Sequence, residues 1–121
     1  MKPPIFKLVV IRSMDIDSTV TFYRSLGIAF DEEQHGNGPR HVAADLGGIV
    51  FEIYPTKKLE DVDRTTRLGF SIPDIHTVII SIRDFGATIV EEPTNSEWGL
   101  RAVVRDPDGR SVELYADESA S

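Results

Sequence analysis

Glu52 and Glu113 are the side chains of this chain with the clearest potential for chemistry. Each sits inside a short apolar run, Phe51-Glu52-Ile53-Tyr54 and Val112-Glu113-Leu114-Tyr115, with a tyrosine two residues on. A carboxylate so placed can ligate a hard cation, abstract a proton beside a carbonyl, or face a cationic group. Each run follows a glycine-bearing turn, Asp45-Leu-Gly-Gly48 and Asp106-Pro-Asp-Gly109, at an offset of 61 residues. A second pair lies upstream. Asp15-Ile16 and Asp74-Ile75 open apolar-periodic stretches that close at Leu26-Gly27 and Phe85-Gly86, at an offset of 59. A duplicated unit builds two pseudo-equivalent halves, and a polar residue repeated in both is expected to face a shared cleft.

The elements that would position these residues follow from periodicity. Phe6–Ile11 is a β-branched run suited to a strand. Asp15 offers N-cap chemistry to a helix carrying Val20, Phe22, Tyr23 and Leu26, which Gly27 ends. Strands are expected over Ile28–Glu33, Arg40–Leu46 and Ile49–Tyr54, separated by the loop Gln34–Pro39 and a tight glycine turn. Pro55–Thr66 is polar and connects the halves. The second copy runs through a strand at Arg67–Ile72 and a helix with Ile75, Val78, Ile79, Ile82 and Phe85. Strands at Ala87–Glu92, Trp98–Arg105 and Ser111–Tyr115 complete it, with Pro93–Glu97 as a loop. The order is β-α-β-β-β twice, an α+β chain forming a curved mixed sheet with a central cleft and helices outside. Unit one spans 5–55, the connector 56–66 and unit two 67–115, within a single domain of 1–121.

Strand alternation assigns faces. Phe51 and Ile53, Val112 and Leu114, Val9 and Ile11, and Leu68, Phe70 and Ile72 are expected against the helices. Glu52, Tyr54, Glu113, Tyr115, Leu8, Val10, Arg12 and Arg67 then share the opposite, mixed face. The repeat offset suggests that Trp98, Leu100, Ala102 and Val104 look the same way as His41 and Ala43.

Composition narrows the function. Lys and Arg total 13 against 20 Asp and Glu, a formal net charge of −7, which argues against binding nucleic acid or an anionic membrane surface. No cysteine is present, which removes disulfides and thiolate chemistry and fits a cytoplasmic location. No apolar stretch approaches the ~18 residues of a membrane helix, and the N-terminus carries no signal-peptide pattern. Ala116–Ser121 is small, polar or acidic and reads as a frayed tail.

The run Phe22-Tyr23-Arg-Ser-Leu26-Gly27, the stretch Trp98-Gly99-x-Arg101 and the ending Arg105-Asp-Pro-Asp-Gly-Arg-Ser-Val-Glu113-Leu-Tyr resemble the vicinal oxygen chelate superfamily of glyoxalases, bleomycin-resistance proteins and dioxygenases. The resemblance covers essentially the whole chain. It implies that metal-dependent relatives ligate a divalent cation from four positions, which fall here on Leu8, Glu52, Arg67 and Glu113. Leucine cannot ligate, and a guanidinium offers no lone pair and stays charged. Arg67 is therefore expected to stand in for the metal between the two glutamates.

The expected function is binding or sequestration of a small organic molecule without metal or cofactor, by a homodimer as in bleomycin-resistance relatives. Leu8, His41, Glu52, Tyr54, Arg67, Trp98, Glu113 and Tyr115 are the candidate ligand-binding residues. His35, in the Gly-rich loop, and His76, near a helix start, do not resemble ligands, and Asp106–Gly109 is read as a turn without chemistry. The alternative is a divalent-metal-dependent lyase, isomerase or dioxygenase using Glu52 and Glu113. An accessory binding domain without catalysis is a third reading.

Overall fold

The computed structural model describes residues 1–117. Strands β1 (Leu8–Ser13), β2 (Asp31–Glu33), β3 (His41–Asp45) and β4 (Val50–Pro55) surround helix α1 (Ile16–Arg24) in the chain order β1-α1-β2-β3-β4. Strands β5 (Leu68–Ile72), β6 (Ile89–Ser96), β7 (Gly99–Arg105) and β8 (Ser111–Ala116), with helix α2 (Ile75–Phe85), repeat that order. A single 3₁₀ turn, Leu59–Asp61, lies between the halves. The frayed-tail expectation falls from residue 118 onward outside the described residues, while Ala116 ends β8.

Each unit makes its own four-stranded mixed sheet, in the orders β1-β4-β3-β2 and β5-β8-β7-β6. The first and last strands of each unit pair in parallel and the others antiparallel. The two helices begin alike. Asp15 and Asp74 accept from the backbone N–H three residues on, at 3.2 and 3.1 Å, and from the hydroxyls of Ser18 and Thr77. These bonds hold both carboxyls below the usual range and satisfy the free amides of the first turn. Gly27 and Gly86 follow the helices with φ of 101° and 92°, a conformation open to glycine and costly for other residues.

The helix-facing residues form one core that spans both units. Phe51, Ile53, Val112 and Leu114 are buried as alternation requires. The Tyr23 ring packs edge-on against Phe51 of unit one and Phe70 of unit two, with centroids 5.1 and 6.1 Å apart. α1 is thus the hydrophobic joint of the two halves.

A polar knot reinforces that joint. Asp106 Oδ2 accepts from the Tyr23 hydroxyl at 2.7 Å and from Arg110 Nη1 at 2.5 Å, while Oδ1 accepts from the backbone N–H of Asp108 and Arg110. Asp108 accepts from Met14 N–H and from the Thr19 hydroxyl. Arg110, fully buried, donates onward to the backbone carbonyls of Asp63 and Arg12. Burial and the adjacent Asp106 carboxylate raise the Tyr23 phenol well above its ordinary value. The Asp106–Gly109 segment is a turn as expected, and its two aspartates also fasten unit two to α1 and β1.

Two boundaries differ from expectation. β6 continues through Pro93 to Ser96, where a loop is expected, by means of register shifts between Ile89 and Glu91 and between Glu91 and Thr94. β2 is confined to Asp31–Glu33, because Ile28 and Phe30 are buried as the approach to the strand rather than paired in it.

Candidate functional site

The mixed face of each sheet carries two rows of side chains fixed by strand register. In unit one, Val10, Glu52, Ala43 and Asp31 lie side by side across β1, β4, β3 and β2. The neighbouring row contains Arg12 beside Tyr54 and Glu33 beside His41. In unit two, Gly69, Glu113, Val103 and Glu91 match the first row, and Ser71, Tyr115 and Arg101 match the second. Glu52 and Glu113 hold equivalent places, as the repeat implies. So do Leu8 and Arg67, each two residues before the partner of its glutamate.

In the unit-one row Tyr54 is the centre. His41 stacks on its ring with centroids 4.1 Å apart and planes 8° from parallel, and the Arg12 guanidinium lies 4.9 Å from the ring centroid. His41 is 2% exposed. Its Nε2 faces Glu33 at 3.3 Å and Glu52 at 3.5 Å.

In unit two the charge is more tightly met. Arg101 donates from Nε to Glu113 Oε1 at 3.0 Å and from Nη2 to the same oxygen, and Tyr115 donates its hydroxyl there at 3.0 Å. The Arg101 hydrogen bond is the largest cause holding the Glu113 carboxyl below its usual range, against the opposing effect of burial. The same bond raises the Arg101 guanidinium. Arg101 also reaches Glu91 at 3.4 Å and lies 6.0 Å from the Tyr115 ring centroid.

Three expectations need correction. Arg67 does not join the two glutamates: its ion pair is with Glu113 alone, at 3.8 Å, its side chain is 68% exposed, and the side chain facing Glu52 is His41, at 3.5 Å. Ala102 and Val104 do not share a face with His41. They pair with Leu114 and Val112 and are fully buried in the core, so Arg101 and Val103 take the mixed face instead. Trp98 lies in the turn between β6 and β7 and is 67% exposed, so strand parity does not place it.

The four positions assigned to a metal by resemblance make a poor donor set. Leu8 and Arg67 offer no ligand atom, and Arg101 already occupies one oxygen of Glu113. Among the described residues, no hydrogen bond, ion pair or ring contact joins the Glu52 cluster to the Glu113 cluster. Two recesses of the single chain lie elsewhere. One, of about 650 Å³, follows β1 beside Asp61, Asp63 and Arg110, and the other, of about 570 Å³, is lined largely by apolar residues such as Phe6, Leu26 and Phe70. Neither has Glu52 or Glu113 in its lining.

The chain is similar to known proteins along most of its length. A family model described as Glyoxalase/Bleomycin resistance protein/Dioxygenase superfamily matches residues 5–114. A probable lactoylglutathione lyase of Vibrio cholerae is 24% identical over 123 residues, covering 92% of this chain and 89% of that protein. Among solved structures, TnmS3, an antibiotic-binding protein from a Streptomyces species, superposes with a TM-score of 0.72 at 20% identity, covering 98% of this chain and 99% of that one. The oxidase ChaP-H2 superposes with a TM-score of 0.76 at 16% identity, covering 99% and 100%. At such identities these structures show a shared fold.

Proposed function

Since this chain belongs to the glyoxalase/bleomycin resistance protein/dioxygenase superfamily, we propose that it binds a small organic molecule over the mixed faces of its sheets, without a metal at the superfamily's four positions. The observation that carries this reading is the neutralisation of Glu113 by Arg101, a protein cation doing what a bound ion would otherwise do. Leu8 and Arg67 at the other two positions agree with it. Exposed Trp98 and Leu8, with the half-buried rings of Tyr54 and Tyr115, supply apolar contact. Glu52 and the outer acidic residues favour a ligand with aromatic and cationic character.

The working unit in this reading is a cytoplasmic homodimer. β1 is an edge strand whose mixed face leaves Leu8 52% and Val10 36% exposed, with Phe6 exposed just ahead of it. A second copy laid on this edge would cover those residues and deepen the faces into clefts. Sedimentation of the purified chain tests the dimer directly.

A glyoxalase-like reaction would use a glutamate as general base. The hydrogen bonds that hold Glu113 in its ionised form lower its basicity and weaken that role. Trp98 is the chain's one tryptophan, so its fluorescence reports ligand without labelling. Saturable quenching by planar aromatic or cationic compounds supports the binding reading, and a flat response across that class counts against it.

A further inference from the structure

We infer that Glu33, His35 and His41 form a binding site for a divalent first-row transition ion, zinc in the first instance, at a place the superfamily's four positions do not include. His41 Nε2 is the described side-chain atom that is buried without a hydrogen-bond partner. It is aimed at carboxylates, with Glu33 Oε1 at 3.3 Å and Glu52 Oε2 at 3.5 Å. His35 Nε2 approaches the same Glu33 oxygen at 3.5 Å. One ligand atom from each of Glu33, His35 and His41 lies within 4.8 Å of the others.

The distances favour a shared ion over direct hydrogen bonds. N–H···O bonds fall at about 2.7–3.2 Å. Two ligand atoms bound tetrahedrally at about 2.0–2.2 Å stand roughly 3.3–3.6 Å apart, which is the separation of each histidine Nε2 from the Glu33 oxygen. His35 is exposed on its loop, so its ring is free to close the remaining gap.

The tautomer of His41 agrees. Its Nδ1 lies 3.2 Å from the Pro39 carbonyl, which can only accept, so Nδ1 carries a proton. That leaves Nε2 as the nitrogen facing the two carboxylates, buried and without a hydrogen bond. An ion held between Nε2 and Glu33 would satisfy both groups. A histidine that donates its far nitrogen to a backbone carbonyl while its near nitrogen faces carboxylates has the arrangement of an oriented metal ligand. Two imidazoles with carboxylate suit zinc and its first-row neighbours, whereas magnesium and calcium prefer all-oxygen sites. The strands set the spacing: Glu33 on β2 lies opposite His41 on β3, and His35 follows two residues after Glu33.

The test is equilibrium dialysis of the full chain, stripped by chelator, against Zn²⁺, with Co²⁺ as a spectroscopic probe of imidazole ligation. A single ion per chain is expected, with visible Co²⁺ bands. Glu33→Gln and His35→Ala, both outside the core, should each weaken binding by about tenfold or more while leaving the metal-free melting temperature unchanged. Glu113→Gln should leave it intact. No saturable binding, or binding that survives Glu33→Gln and His35→Ala together, would overturn the site. So would binding abolished by Glu113→Gln, which would return the ion to the superfamily positions. Glu33 and His35 are not among the residues assigned to the organic ligand, so the Glu33→Gln and His35→Ala results and the quenching of Trp98 can fail separately.

Discussion

His41 and Arg101 hold the same place in the two halves of the chain. Ala43 lies opposite Glu52 and Val103 opposite Glu113, so residues 41 and 101 each stand two positions away and reach diagonally to the glutamate of their own half, His41 to Glu52 and Arg101 to Glu113. Each also meets the tyrosine two residues beyond that glutamate. One place holds an imidazole and the other a permanent cation. The halves therefore share a frame and differ in charge, and Glu113 is the carboxylate that is neutralised at all physiological pH.

Replacing Arg101 should expose that difference. Arg101→Gln is expected to raise the Glu113 carboxyl toward the ordinary glutamate value, followed by NMR titration of the side-chain carboxyl. The folded state holds this carboxyl below its unfolded value, so the pair's contribution is present above about pH 4.3 and is lost as pH falls through the lowered folded value. Denaturation curves of wild type should thus weaken on acidification below that range, and the variant should lose this part of the slope.

Arg67 and Arg101 should separate in stability. Arg67 is largely exposed and 3.8 Å from Glu113, so Arg67→Ala should change unfolding free energy by less than about 0.5 kcal/mol. Arg101 is 20% exposed and doubly bonded, so Arg101→Ala should cost about 1 kcal/mol after allowance for solvent screening. Urea midpoints of the two variants decide whether Arg101, not Arg67, is the principal partner of Glu113.

The Asp106–Arg110 pair is fully enclosed and joins the units through Tyr23. Asp106→Ala leaves the Arg110 charge buried without its partner and should destabilise the fold by about 3–5 kcal/mol. Tyr23→Phe keeps the ring between Phe51 and Phe70 and removes one bond to a charged acceptor, at about 1.5–3 kcal/mol. A smaller loss from Asp106→Ala than from Tyr23→Phe would contradict this ordering.

Gly27 and Gly86 test the repeat at the helix ends. Nothing lies within 4 Å of a Cβ added at either, so Gly→Ala should cost about 1 kcal/mol from the positive φ alone, and similarly at both sites. Circular-dichroism melts of the two variants give the comparison.

Much of this was legible in the chain. The aspartate caps, the glycine ends and the alternation around Glu52 and Glu113 all arise from local rules, and the 59-residue offset correctly equates Leu8 with Arg67. Arg101 escaped because the offset is not constant. It is 59 from β1 to β5 and 61 from β4 to β8, and register makes it 60 from Ala43 to Val103. An odd offset applied to an even one turns every side chain on β7 to the wrong face. A signal was present: Arg101 and Arg105 share one parity of that strand, and Ala102 and Val104 the other. The Asp106–Arg110 knot was hidden for a different reason, since its partners are 83 and more residues away in α1 and β1.

Ligand binding in the proposed reading needs no metal at the superfamily positions. The direct measurement is titration of Trp98 fluorescence with planar aromatic and cationic compounds, run on chelator-stripped protein with and without added Zn²⁺, Ni²⁺ or Mn²⁺. Saturable quenching of unchanged affinity in the stripped protein is the predicted result. Quenching that appears only with added metal, and disappears in Glu113→Gln, would contradict it.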